Sequence, residues 1–361
     1  MCLKERSCRR KCVTKKVSFM MRSLLALFCC LACYSMAGQE VNRADWMLRL
    51  EDERLVASLS LPGAHDAATG SGLRPISGFG RTQTLTIGEL WDAGVRVFDL
   101  RPAVRDSVLH IYHSFLPTNV SFAASIDTLR RKLMEHPGEF AIVLLRHEDE
   151  SESEAERAMW PELVGRSVGA LGDMAARFHS MLTVGELRGK LLFLSRTAFA
   201  DTDRGGTIVG WNHSPQGTTE AAICANGNGQ KVRLQLQDYY APTNSHRRSE
   251  KLDAAMRYVA LAQQAATGVW TMNFLSGYAT TSPLLGGFAT SAGYKRNAAW
   301  LHPLMIAHLN SSELPKRAGL GILLMDFAGI DVVSGTWTHW SPFKVEGKAI
   351  IDTIIEHNFR K

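Results

Sequence analysis

Two histidines, three arginines and several carboxylates recur at equivalent places in the chain, each at or just after the end of a short apolar run: His65, Arg101, His113, Arg146, Arg196, Asp238, Asn273 and Asp326. Strands commonly end in polar turns, so none of these residues argues for a site by itself. As a set they bring two imidazoles, three guanidiniums and two carboxylates together. Guanidiniums favour phosphate, because the planar fork meets two oxygens at once. Two imidazoles with a guanidinium between them suit in-line attack on a phosphodiester. One neutral ring removes a proton from the attacking hydroxyl, the other, protonated, donates to the leaving oxygen, and the arginine holds charge on the phosphoryl oxygens. That chemistry requires no metal and no cofactor. A metal-dependent site would want several carboxylates or an asparagine near the first histidine; Asp66, Asp99 and Asp326 are available, but Arg101 stands where a cation would sit. Like charges do not share a pocket comfortably.

Eight apolar or β-branched runs must position these groups: Leu55 to Leu61, Val95 to Leu100, Val108 to Tyr112, Phe140 to Leu145, Lys190 to Ser195, Val232 to Gln237, Val269 to Phe274 and Leu320 to Met325. Helix-period stretches lie between or after many of them, among them Ser121 to Glu135, Ser249 to Ala265, Asn297 to His308 and Glu346 to His357. Eight buried strands alternating with helices close as a single α/β domain, a (β/α)8 TIM barrel, and such a barrel carries its chemistry at the carboxyl ends of its strands. The barrel is irregular in one place, because the link from Leu100 to Val108 is too short for a crossover helix. No internal repeat or composition-biased linker divides the chain after the leader.

The 361 residues are 45% hydrophobic, which excludes a disordered chain. The 41 Lys and Arg against 35 Asp and Glu would invite a nucleic-acid reading if the excess were spread over the fold. It is not. Residues 1 to 38 hold eight bases, Lys4 through Arg22, against the single acid Glu5, which leaves 33 bases and 34 acids in residues 39 to 361. That leader reads as an export signal, with a positive start, an apolar run from Leu24 to about Leu31, too short for a comfortable membrane span, and small residues around Ser35, Ala37 and Gly38. Met20 or Met21 would start a signal of ordinary length, and the residues before Cys33 fit a lipoprotein signal poorly. The expectation is an exported protein, periplasmic or secreted, cleaved near Gln39. Six of the seven cysteines lie in the leader, so Cys224 alone would remain and no internal disulfide can form.

The stretches Leu61-Pro62-Gly63-Ala64-His65-Asp66 and Gly94-Val95-Arg96-Val97-Phe98-Asp99-Leu100-Arg101, the His113 strand, Gln237-Asp238-Tyr239-Tyr240 and Met272-Asn273-Phe274 together resemble the bacterial phosphatidylinositol-specific phospholipases C. Each motif is weak alone; their constant order from about Leu55 to the C-terminus is what carries the resemblance. It implies His65 as general base on the inositol 2-hydroxyl, His113 as general acid toward the diacylglycerol oxygen and Arg101 as phosphate clamp. It further implies Asp326 as the carboxylate orienting the base, with Asp66 and Asp99 supporting the acid and the arginine. Arg146, Arg196, Asp238 and Tyr240 match the positions that recognise the inositol ring, with Arg146 where a lysine is expected. The implied partners are phosphatidylinositol or a glycosylated phosphatidylinositol anchor and a transient membrane surface; no nucleic acid is implied, and the chain is expected to act as a monomer.

The resemblance departs at the rim. Ala67 to Arg81 is Gly-rich with only Phe79 aromatic, and Leu275 to Tyr294, which offers Tyr278, Leu284, Leu285, Phe288 and Tyr294, reads either as the segment that takes over membrane contact or as an ordinary apolar loop packed on the barrel. The alternatives are an inactive carbohydrate or lipid-headgroup binding barrel and a metal-dependent phosphodiesterase acting on another phosphodiester. Other features read as ordinary surface: His147 as a solvated loop residue, the acidic run Glu148 to Glu156 as a solvated helix start, and His213, His302 and His357 among the histidines outside the site. Gly205-Gly206 and Asn226 to Gly229 read as flexible loops, and Asn119, Asn212 and Asn310 begin glycosylation triplets that would matter only in a eukaryotic secretory host.

Overall fold

Strands buried on both faces are written as unbroken apolar runs, and the centre of this fold follows that rule. In a computed structural model, which describes residues 42–73, 80–200, 202–240, 245–278, 291–311, 314–315, 318–334 and 343–360, the runs become β1 (Ser60–Ala64), β2 (Val97–Leu100), β6 (Ala141–Leu145), β7 (Leu191–Ser195), β10 (Lys231–Gln237), β11 (Trp270–Phe274) and β12 (Gly321–Met325). Between them lie β3 (Pro102–Arg105), β4 (Val108–His113), β5 (Leu116–Ser121), β8 (Gly206–Val209) and β9 (Thr218–Ala225), with β13 (Asp331–Ser334) and β14 (Phe343–Glu346) near the end. The sheet closes in the order β1, β12, β11, β10, β9, β8, β7, β6, β2. Eight strands run parallel and β9 alone is antiparallel to its neighbours β8 and β10. The fold is a TIM-type α/β barrel with one extra strand. The unit Arg43–Lys361 carries all these elements, and among the described residues no helix is long and apolar enough to cross a membrane. The expected leader lies outside the described residues.

Two of the expected barrel strands need correction. Val108 to Tyr112 is not a stave; it forms β4 in a separate antiparallel sheet β3-β4-β5. Its alternating burial, with exposed Val108 beside buried Leu109, is the mark of a strand covered on one face only. The first strand starts later than Leu55, because Leu55 bridges to Thr183 and Val56–Ser58 makes a 3-10 turn before β1 begins at Ser60. The eighth parallel stave is β8, whose first residue, Gly206, belongs to the Gly205-Gly206 pair expected to be a flexible loop.

Helices α1 (Ile87–Asp92), α2 (Phe122–Glu135), α3 (Glu154–Gly169) and α4 (Val184–Leu187) begin at hydroxyl caps on Thr86, Ser121, Ser153 and Thr183, and α5 (Ser245–Gln263), α6 (Ser291–Leu309) and α7 (Gly347–His357) complete the helical layer. One buried ion pair supports the end of the barrel away from the site. Arg96 Nε donates to Glu139 Oε2 at 2.8 Å, its other nitrogens bind carbonyls of Trp91, Val95, Arg43 and Ala44, and the guanidinium lies 4.1 Å from the Trp91 ring centre. Replacing Arg96 by Met strands the Glu139 carboxylate in the core. The expected loss is about 3–5 kcal/mol, measured by urea unfolding.

Candidate active site

β1 and β12 lie side by side where the barrel closes, with Ala64 paired to Met325. The residues that follow, His65 and Asp326, are therefore neighbours despite their separation in sequence. His65 Nδ1 lies 2.8 Å from Asp326 Oδ1, and Asp326 Oδ2 accepts the backbone N–H of Gly277 at 3.0 Å. Gln83 locks this junction: its amide nitrogen donates to the carbonyls of His65 and Met325, both at 2.8 Å, and its oxygen accepts Ala328 N–H at 3.0 Å. Asp66 turns the chain away from β1 in the left-handed conformation, φ 46°. That unfavourable turn is held by Asp66 N–H donating to Asp99 Oδ2 at 3.2 Å and Thr69 N–H donating to the Asp66 carbonyl at 3.0 Å.

Arg101 leaves the end of β2 into the centre of this group. Its Nε lies 2.6 Å from Asp66 Oδ1, one terminal nitrogen lies 3.1 Å from Asp99 Oδ2 and 2.7 Å from His65 Nε2, and the other is 3.8 Å from Glu148. Burial opposes its charge, but Asp66, Asp99 and Glu148 outweigh burial and hold it protonated well above the usual arginine range. In the neutral His65 ring, Nδ1–H donates to Asp326 and the Nε2 lone pair faces Arg101. Burial disfavours the imidazolium, yet Asp66 and Asp326 together prevail and raise this ring above its ordinary pKa of 6.5.

The second imidazole arrives from the separate β3-β4-β5 sheet, tied to the barrel by Tyr112 N–H donating to the Arg101 carbonyl at 3.0 Å. His113 Nε2 lies 3.4 Å from Asp66 Oδ2, and His65 Nε2 lies 3.4 Å from the same oxygen. Asp66 thus touches both histidines and the arginine. Burial works against its charge, but Arg101, His65 and His113 bring the carboxyl down to about 2. Gly80, at φ +71°, packs on the other edge of His113, where a Cβ would lie 2.4 Å from Nδ1. Tyr294 places its hydroxyl 3.4 Å from His113 Nε2.

The two histidines and Arg101 open onto a cavity of about 320 Å³. Its remaining wall brings Arg146, Arg196, Asp238 and Tyr240 to the same space. Arg196 sits 3.9 Å over the Trp211 ring, and burial together with the neighbouring Arg101 and Arg146 draws it down to about 10 against the pull of Asp238. Three guanidiniums crowded into one cavity repel one another, and an anion relieves that repulsion.

Several expectations are corrected here. Asn273 does not reach the mouth; it is buried on the outer face of β11, donating to the Ala255 carbonyl of α5 at 2.8 Å. Glu148 is no solvated helix residue: it is 1% exposed, takes the Ser114 N–H at 2.7 Å and lies 3.2 Å from Arg146. His147 is packed rather than solvated, 2.6 Å from Glu152 and stacked on Trp160. His213 lines the cavity, and Tyr294 is buried against Ala298, Phe327 and Val345, which fits the packed alternative for its segment and not lipid contact. Leu284, Leu285 and Phe288 lie outside the described residues. His65, Asp66 and Asp99 are close enough to hold a metal ion among them, but each already touches the Arg101 guanidinium. The donor set as it stands fits a cationic side chain better than a divalent ion.

A barrel whose strand ends gather an imidazole, a clamped guanidinium and paired carboxylates over one cavity, with a second imidazole supplied by the adjoining β3-β4-β5 sheet, is an enzyme framework. No family model matches the chain. Over 162 residues, 43% of this chain and 49% of the relative, it is 28% identical to a 1-phosphatidylinositol phosphodiesterase of Listeria monocytogenes, so that match spans about half the relative's length. It is 22% identical over 294 residues, 79% of this chain and 88% of the relative, to one of Staphylococcus aureus. Structures of the phosphatidylinositol-specific phospholipases C of S. aureus and L. monocytogenes share the fold with TM-scores of 0.66 and 0.61, each at 21% identity, covering 88% of this chain and 97% and 99% of theirs. The chain is thus similar in sequence to these two phosphodiesterases and shares its fold with the bacterial phosphatidylinositol-specific phospholipases C.

Proposed function

We propose that this protein is an exported, metal-independent phosphodiesterase that converts phosphatidylinositol to diacylglycerol and inositol 1,2-cyclic phosphate, and opens the cyclic ester more slowly. The observation that carries this reading is the shared carboxylate: Asp66 holds His65 and His113 at 3.4 Å each while pairing with Arg101. In this reading His65 is the base, His113 the acid and Arg101 the charge clamp, all gathered on that one carboxylate. His65 Nε2 takes the proton of the inositol 2-hydroxyl, the oxygen attacks phosphorus, and the bond to the diacylglycerol oxygen breaks as His113 supplies a proton to it. Arg101 turns its fork from His65 to the phosphoryl oxygens, where charge accumulates. The substrate's own hydroxyl is the nucleophile, so no enzyme nucleophile is needed. Arg146, Arg196, Asp238 and Tyr240 receive the ring. A glycosylated phosphatidylinositol anchor presents the same reacting atoms and belongs to the same class of substrate. The protein meets its lipid at a membrane surface, transiently and as a monomer.

Phosphorus NMR of residues 39 to 361 with phosphatidylinositol in detergent micelles and excess EDTA tests the reading. Appearance of the cyclic phosphate signal supports it. Activity only after adding calcium or magnesium would transfer the role of Arg101 to a metal, and absence of turnover in both conditions would favour the binding barrel.

The pH profile gives a second test. His65 must be neutral to act as base, and its carboxylate neighbours raise it, so the acid limb of kcat/KM is expected above pH 6.5. Asp326→Asn removes one of the two charges responsible. The limb should move to lower pH; an unmoved limb would mean that another group sets it.

A further inference from the structure

His213 reads from the sequence as a histidine outside the site, yet the loop between β8 and β9 that carries it holds three of the four groups assigned to the ring wall. Trp211 Nε1 donates to Asp238 Oδ2 at 2.9 Å and its ring underlies Arg196 at 3.9 Å. His213 approaches the Asp238 carbonyl through Nδ1 at 2.6 Å and stacks on Tyr240, ring centres 3.9 Å apart and planes 30° apart. A carbonyl only accepts, so Nδ1 carries the proton. The neutral ring then keeps a lone pair on Nε2, which meets no hydrogen-bond partner among the described residues although the ring lines the cavity. An acceptor fixed at two points beside an aromatic face is suited to a polyhydroxylated ring, whose hydroxyl donates to the nitrogen while its C–H face lies on the aromatic plane.

We infer that His213 is a substrate-binding residue whose Nε2 accepts a hydrogen bond from a hydroxyl of the inositol ring, with Trp211 positioning Asp238 and Arg196 beside it; this rests on the phosphoinositide reading above. The contact is made to a part of the substrate that does not react. It therefore supports ground state and transition state alike and appears in KM more than in kcat.

The test uses myo-inositol as probe, titrated into residues 39 to 361 while the imidazole nitrogens are followed by NMR, with turnover of phosphatidylinositol measured in parallel. His213→Phe keeps a stacking ring without the nitrogen; His213→Gln keeps a hydrogen-bonding group without the ring. Inositol should shift the His213 Nε2 signal in the wild type, bind about tenfold more weakly to His213→Phe, and recover part of that loss in His213→Gln. KM for phosphatidylinositol should rise by a similar factor in His213→Phe, with a smaller change in kcat. An unmoved Nε2 signal, or an affinity of His213→Phe within twofold of wild type, would overturn the assignment even if the wild type turns over lipid. Inositol binding that depends on His213 without lipid turnover would sustain the assignment and overturn the phosphodiesterase reading.

Discussion

Replacing His65 by Ala is expected to lower kcat on phosphatidylinositol by about 10³-fold, within the range ascribed to a positioned general base, while myo-inositol still binds. The ring sits at the one junction where three constraints meet: Asp326 holds Nδ1 at 2.8 Å, Arg101 meets Nε2 at 2.7 Å, and Gln83 pins its carbonyl at 2.8 Å. Alanine removes the proton acceptor and leaves the cavity wall of Arg146, Arg196, Asp238 and Tyr240 in place. The measurement is steady-state turnover alongside the inositol titration. A variant that loses turnover and binding together would point to a collapsed junction and not to a missing base. A variant that keeps both would sink the assignment of His65 and turn the balance toward a binding barrel.

Arg101→Lys is the sharper test of the charge clamp, because it conserves charge and changes only shape. The guanidinium meets four groups at once, Asp66 at 2.6 Å, His65 at 2.7 Å, Asp99 at 3.1 Å and Glu148 at 3.8 Å. A single ammonium cannot span that set and cannot present two parallel N–H groups to phosphoryl oxygens. We expect kcat/KM to fall by about 10²–10³-fold, the loss typical of one preorganised donor on developing charge. Activity within fivefold of wild type would mean that net charge suffices and the fork has no special role.

Much of this site can be read without coordinates. Buried parallel strands must be continuous apolar runs, as in Ala141–Leu145 and Leu191–Ser195, all ten residues buried, and a polar residue directly after such a run must lie at the barrel mouth. That logic alone places His65, Arg101, Arg146, Arg196, Asp238 and Asp326. It misplaces Asn273, because a residue's presence near a strand end says nothing about whether it faces the mouth or the helical layer.

The strands β8 and β9 escape detection for a different reason. Gly206–Val209 is four residues long, and Thr218–Ala225 mixes exposed and buried positions, so neither has the run of a central stave. Glu148 is hidden by its company: an acidic run averages to a solvated surface, although its first member is buried between two arginines. The barrel, its chemistry-bearing strand ends and the types of group they carry are legible in the residues alone, since burial and periodicity are local properties of the chain. The meeting of His113 with Asp66, of Glu148 with Arg101 and of His213 with Asp238 and Tyr240 is visible only once the chain is folded. Each joins a separate sheet or a loop to the barrel, and contacts between elements depend on closure and register, which no local pattern encodes.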